Sequence, residues 1–174
     1  YVDQNRDGIL SEEDLIYLGN SDPVLYGGLQ NTFTIGGLNI GFYFSYSLGG
    51  KIYNYSELAM AGGYATNQYR YMLDAWHPVR NPDSDLPRAG TDDRLVPSSL
   101  QVHDASYLRL KNISLGYTLP QKWMSKIHVK SLRLSATLTD FFTHSHFPEG
   151  WDPEVGTTGY PITKSVLFSA QLKF

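Results

Sequence analysis

The sequence predicts an all-β protein whose strands belong to the wall of an antiparallel transmembrane β-barrel. Three observations predict it. Strand-length segments alternate apolar and polar residues with a period of two, the pattern of a sheet with one apolar face. Aromatic residues and glycine are abundant, at 13 Tyr, 8 Phe, 3 Trp and 16 Gly, which suits turn-rich β-structure and the aromatic girdles of a membrane barrel. Short and long connections between the segments alternate, as the turns on one side of such a barrel and the loops on the other do.

The first element, "DQNRDGILSEED", has the spacing of a calcium loop. Asp3, Asn5, Asp7, the backbone of Ile9, Ser11 and Asp14 stand at positions 1, 3, 5, 7, 9 and 12, with Gly8 at the sharp turn. Hard oxygens converging from a curved backbone are what Ca2+ requires, although Asp14 replaces the longer glutamate at the last position. The plain reading is a turn in which Ser11 caps a short helix, with Asp14 at its third residue. Residues 1–28 are read as one Asp-rich loop and 29–174 as barrel strands with their loops.

The strands follow in order. "LQNTFTI" places Phe33 and Ile35 on one side, and Gly36-Gly37 closes a tight hairpin. "LNIGFYFSYSL" places Leu38, Ile40, Phe42, Phe44, Tyr46 and Leu48 on one face. After a long connection near 49–105, "SYLRLKNISLGYTLP" carries Leu108 and Leu110 in one phase and Ile113, Leu115 and Tyr117 in the other. That slip marks a bulge near Lys111 and Asn112. A connection near 119–128 leads to "VKSLRLSATLTD", with Leu132, Leu134, Ala136 and Leu138 on one face. A long connection near 140–163 precedes "KSVLFSAQLKF", where Val166, Phe168, Ala170, Leu172 and Phe174 align.

Other classes are argued against. No run of about 18 apolar residues exists, so a transmembrane helix is excluded and a barrel is not. The 14 basic residues form no dense patch and the net charge is −3, which argues against nucleic-acid binding. With no cysteine, disulfides and thiolate metal sites are excluded. About five strands cannot close a membrane barrel, and open edges are not tolerated in lipid. The start on Tyr1 fits the same expectation of a piece completed by upstream sequence or by another chain.

Taken in order, these blocks resemble the C-terminal part of the SusC/RagA family of TonB-dependent outer-membrane transporters of Bacteroidota. "DQNRDGILSEEDLIYLGNSDPVLYGGL", "GGKIYN", "DASYLRLKNISLGYTLP", "SLRLSATLTDFFT" and "WDPEVGTTGYP" carry the resemblance. "SYLRLKNISLGYTLP" is the most specific of them. Asp140-Phe141 departs from the asparagine-leucine pair usual there. The resemblance implies a large barrel with a plugged lumen in the Gram-negative outer membrane. It implies a SusD-like surface lipoprotein as partner, energy from the TonB complex through a segment upstream, and import of oligosaccharides or peptides without covalent chemistry. The long loops and the opening Asp-rich segment would then lie outside the cell.

Further candidates are weighed against plainer readings. Tyr69, Tyr71, Trp76, Arg80 and Arg94 lie in a loop rich in aromatics, charge and proline. They suit contact with substrate or the capping lipoprotein, since aromatic faces stack on sugars and arginine forks bind carboxylates. A self-packed external loop is the favoured alternative for any one of them. Phe168, Leu172 and Phe174 read both as lipid-facing residues and as a signal to the barrel-assembly machinery. His144 and His146 lack a third ligand nearby, and the Trp151-Asp152-Pro153-Glu154 run reads as structural. No catalytic constellation is found, so the chain is not read as an enzyme. The competing reading is a secreted β-rich carbohydrate-binding module with a calcium loop; a β-rich extracellular hydrolase is weaker.

Overall fold

The computed structural model describes residues 2–60, 67–90, 97–148, 150–157 and 159–174, and of Ile127 the backbone alone. Five long strands form one sheet: β1 (Leu25–Ile35), β2 (Leu38–Leu48), β5 (Tyr107–Thr118), β6 (Ser131–Ser145) and β7 (Ser165–Lys173). They pair in the order β1-β2-β5-β6-β7, every pair antiparallel. The remaining pair, β3 (Lys51–Tyr53) and β4 (Val102–Asp104), is a small ribbon at the foot of the long β2–β5 connection, with helix α1 (Tyr55–Met60) following β3. Helix α2 (Gln121–Met124) lies in the β5–β6 turn.

The predicted hairpin forms with Ile35 opposite Leu38, so Gly36-Gly37 is the whole turn. Gly36 adopts φ +58°, a left-handed conformation that glycine takes without strain. At Gly37 the reason is space: a Cβ would stand 2.5 Å from the Thr118 carbonyl oxygen.

Lys111 is the predicted bulge. Tyr43 pairs with Asn112 and Phe44 with Leu110, so Lys111 is the extra residue of β5. At the same level Asp140 and Phe141 of β6 fall between the pairs Thr139–Asn112 and Phe142–Leu110. Asp140 meets the irregularity with φ +56°, a conformation aspartate tolerates better than most residues. The bulge keeps the apolar phase intact across the sheet. Phe42, Ile113, Leu138 and Val166 share one row below it, and Phe44, Leu110 and Phe142 one row above.

Two boundaries differ from those read in the sequence. β6 continues through Asp140 to Ser145, because the bulge interrupts the alternation without ending the pairing. β1 begins at Leu25, because Gly27 and Gly28 present no side chain to alternate. Tyr46 and Tyr43 of the neighbouring strand fill the space a Cβ would take at each.

An 11-residue strand such as β2 spans about 36 Å at about 3.3 Å per residue. Tilted as barrel strands are, it covers the roughly 25 Å apolar band of an outer-membrane wall. Burial is inverted relative to a water-soluble sheet. Among the described residues the buried apolar side chains are Met72, Ala75, Met124 and Phe147, whereas Asn54, Glu57, Gln101, Arg109 and Asp152 are buried and polar. Leu29, Phe33, Leu108, Leu115, Leu134, Phe142, Val166, Phe168 and Leu172 are exposed. Burying such a side chain fully is worth about 1.5–3 kcal/mol, so leaving this set in water would cost an amount comparable to the roughly 5–15 kcal/mol that holds a domain folded. That face requires lipid. No described helix is long and apolar enough to cross a membrane.

The ends of the sheet differ. Gly36-Gly37 and the α2 turn lie at one end, where the Thr118 N–H donates to the Gly37 carbonyl (2.8 Å) and the Lys130 N–H to the Lys173 carbonyl (2.9 Å). The long connections leave from the other. The opening segment joins them there, with the Val24 N–H donating to the Leu48 carbonyl (2.9 Å) and the Lys51 N–H to the Asn20 carbonyl (2.8 Å).

Candidate functional site: the loop end of the wall

On the face opposite the apolar rows, Arg109 pairs with Ser45 on β2 and Thr143 on β6 and is only 1% exposed. A buried guanidinium needs partners, and the β6–β7 connection brings them. Arg109 Nη2 donates to Asp152 Oδ1 at 2.6 Å, and Arg109 Nη1 lies 3.6 Å from Glu154 Oε2 and 3.9 Å from Asp140 Oδ1. Beside it, Lys111 Nζ donates to Glu154 Oε2 at 2.6 Å and stands 3.8 Å from Asp140 Oδ1. The left-handed backbone of Asp140 and the extra residue Lys111 therefore serve one end: they gather two cations and three carboxylates at the bulge. Burial pushes the Asp152 carboxyl up, but the Arg109 hydrogen bond, the Glu154 N–H and the Arg109 charge outweigh it and hold the group below its ordinary value.

The residues around Asp152 lie over the wall as a strap. Asp152 Oδ1 accepts the Glu154 N–H at 3.0 Å, and the Gly156 N–H closes the turn on the Asp152 carbonyl at 2.8 Å. Trp151 Nε1 donates to the Tyr69 hydroxyl at 3.1 Å, and the Ser56 hydroxyl donates to the Thr157 carbonyl at 3.1 Å. Two connections far apart in sequence thus fold against each other. The Tyr69 ring stacks on Tyr71 at 5.7 Å. Burial first, and then the neighbouring Glu57 carboxylate, push the Tyr71 phenol pKa up. Glu57 bonds His103 of β4. The Asn54 side chain accepts the Glu57 N–H at 2.9 Å and starts α1.

The predicted contact residues divide. Tyr69 and Tyr71 come together in this cluster, half-buried. Trp76 is folded into its own loop, with Nε1 donating to the Pro82 carbonyl at 3.0 Å, and Arg80 is exposed beside it. Arg94 lies outside the described residues. Phe168 and Leu172 line the apolar face of β7, and Phe174 follows it, 80% exposed. The His144 and His146 rings meet edge to face at 5.6 Å.

In the opening loop the backbone curls as the spacing predicts. Asp3 accepts the Arg6 and Gly8 N–H groups, Asn5 that of Asp7, and Asp7 that of Ile9, with Gly8 at φ +82°. Ser11 and Asp14 form a capping box around the 3-10 turn Glu12–Asp14. Both Asp14 carboxylate oxygens accept backbone N–H groups, from Gln4 at 2.7 Å and Ser11 at 2.8 Å. The Ser11 bond first, then those of Gln4 and Asn5, hold its pKa low against slight desolvation. The carboxylate that reaches toward Asp7 is Glu13: Asn5 Nδ2 donates to both, at 3.0 and 3.1 Å. Asp14 thus serves as the cap, and no group of three acidic or histidine side chains is gathered for an ion among the described residues.

Arg109, Glu57 and His103 do not stand out in the sequence, and Lys111 does so only as the bulge. A charge between Leu108 and Leu110 is what the polar phase of any strand shows. The one available signal was the acidic pair in "WDPE", which has meaning only once a buried cation is known to wait for it.

A sheet that is apolar on one face, polar on the other, and crowned at one end by folded loops is a stretch of outer-membrane β-barrel wall. Comparison with known proteins agrees. No family model matches the chain. Two TonB-dependent receptors of Formosa agariphila are 32% identical over 154 residues and 36% identical over 160, covering 88% and 86% of this chain and 15% and 16% of their own. The TonB-dependent receptor SusC of Bacteroides thetaiotaomicron is 27% identical over 189 aligned positions, covering 100% of this chain and 17% of its own. Among solved structures, the RagAB peptide transporter matches with TM-score 0.76 at 27% identity, over 91% of this chain and 18% of that one. The RagAB peptide importer in its open-open state matches with TM-score 0.74, over 88% and 17%. The chain spans about a sixth of the length of the relatives it matches. It belongs to the SusC/RagA family of TonB-dependent outer-membrane receptors, and its fold resembles the C-terminal part of their barrel.

Proposed function

We propose that the protein to which this wall belongs imports nutrients across the outer membrane, as the barrel of a SusC/SusD-like complex. The observation that carries the reading is the pairing of a lipid-requiring face with a charged inner face on which long loops fold. A barrel that only anchors a protein has no need for a built loop platform over its inner wall. In this reading the TonB complex supplies energy through a segment outside this chain, and a SusD-like surface lipoprotein caps the loop end. The cargo is an oligosaccharide or a peptide, passed by gating with no covalent chemistry. Tyr69, Tyr71 and Arg80 belong to the surface that meets lipoprotein or cargo. Phe168, Leu172 and Phe174 form the strand-end signal read by the barrel-assembly machinery, and the edges of β1 and β7 pair with the rest of the same barrel.

A calcium ion would act at the opening loop as a staple, held by Asp3, Asn5, Asp7, the Ile9 carbonyl, Ser11 and Asp14. A soluble carbohydrate-binding module is not favoured, because it would leave the apolar face in water. The test is purification of the full-length parent from outer membranes in mild detergent. Co-purification of a surface lipoprotein and collapse on detergent removal are expected. A parent that stays monodisperse without detergent and carries no partner would refute the proposal.

A further inference from the structure

We infer that Arg109 is a positioning residue that acts at a distance. Through Asp152 and Trp151 it holds Tyr69 and Tyr71, on a loop it does not touch, in place at the mouth of the wall. The contacts form a path. Arg109 of β5 binds Asp152 at 2.6 Å, and its sequence neighbour Trp151 donates to Tyr69 at 3.1 Å. Tyr69 stacks on Tyr71, Tyr71 neighbours Glu57, and Glu57 bonds His103 on β4, which returns to β5 within a few residues.

The strap is bracketed along its length. Phe147 packs edge to face on His103 at 5.9 Å, Glu154 binds Lys111, and the Thr157 carbonyl accepts from Ser56. The order of the contacts runs outward from the wall, so losing one frees what lies beyond it and leaves what lies between it and Arg109 in place. Arg109 is the member set in the rigid wall, at 1% exposure, and its planar fork spans Asp152 and Glu154 in a way the point charge of lysine does not. The significance for cargo rests on the import reading; the coupling itself does not.

The test is hydrogen exchange on the full-length parent in detergent micelles. The probes are the Met72 and Ala75 amides, bonded to the Tyr69 and Met72 carbonyls, and the strap amides of Val155 and Gly156, bonded to the Asp152 carbonyl. Trp151→Phe keeps the charge contacts and removes one hydrogen bond. It is expected to raise exchange at Met72 and Ala75 by roughly three- to tenfold, the scale of one net hydrogen bond, and to leave Val155 and Gly156 unchanged. Asp152→Asn, which keeps the turn-forming oxygen, is expected to raise both sets. Arg109→Lys is expected to fall between Asp152→Asn and the unaltered protein.

If Asp152→Asn raises exchange only within the strap, or Trp151→Phe leaves Met72 and Ala75 protected, the inference is overturned. An unaltered parent that imports nothing would sink the import reading, while the same exchange data would still decide the coupling.

Discussion

Leu138→Arg is the sharpest test of which face meets lipid. Leu138 lies in the row Phe42–Ile113–Leu138–Val166, near the middle of the strands and so near the bilayer midplane. An arginine on the lipid face there costs about 2–4 kcal/mol. Loss of the lipid-facing leucine adds about 1.5–3 kcal/mol. Together they lower the folding equilibrium by about three-hundredfold or more, at a factor of ten for each ~1.4 kcal/mol. Thr137 is next in sequence but on the other face, opposite Ser114 and Leu167, and Thr137→Arg serves as the control. The assay is urea unfolding of the full-length parent refolded into lipid vesicles, followed by the gel shift between folded and unfolded barrels. Leu138→Arg should lose folded protein at urea concentrations that Thr137→Arg withstands. Equal sensitivity of the two variants, or greater sensitivity of Thr137→Arg, would refute the face assignment.

Three further outcomes follow from the same geometry. Gly37→Ala places a Cβ 2.5 Å from the Thr118 carbonyl oxygen, and the backbone cannot give as a flexible side chain would. A loss of about 1–3 kcal/mol should appear in the same urea assay, whereas Gly90→Ala, with open space around it, should show only the cost of its positive φ. The Asp152 carboxyl is depressed in the folded protein, so its stabilisation is fully present above the unfolded value of about 3.9 and is lost as pH falls through the folded pKa. Protease resistance of the strap should therefore be flat from about pH 5 to 8 and fall only below about pH 4; a step near neutrality would contradict this. In the opening loop, Asp3→Ala with Asp7→Ala removes the side chains that receive the Arg6, Gly8 and Ile9 N–H groups. Cleavage there should rise in calcium-containing buffer, and chelator should raise it in the unaltered protein. Chelator-independent cleavage would leave only the capping box.

The legible part of this protein is its periodic part. Alternation with a period of two marks each long strand, because the pleat sends successive side chains to opposite faces and lipid accepts only one kind. Even the bulge at Lys111 could be read, since a single extra residue reverses the phase from Leu110 to Ile113. What alternation cannot carry is lost where glycine removes the side chain, as at Gly27-Gly28, or where a residue in a left-handed conformation sits inside a paired strand, as at Asp140. The opening loop shows a different limit. Its spacing allows Asp14 two roles, last metal position or helix cap, and only the structure shows its carboxylate accepting the Gln4 and Ser11 amides.

By itself, then, the sequence determined the five long strands, the apolar face, the end at which the long loops emerge and the family likeness, but not the β3–β4 ribbon. All of these rest on neighbours in sequence or on period. Only the tertiary structure decided that Arg109 is buried under Asp152, 43 residues away, and that Trp151 meets Tyr69, 82 residues away. Those pairings are between polar residues whose local patterns look like any strand or loop. Their partners are chosen by how the strands align and where the loops fold back, which no local period records.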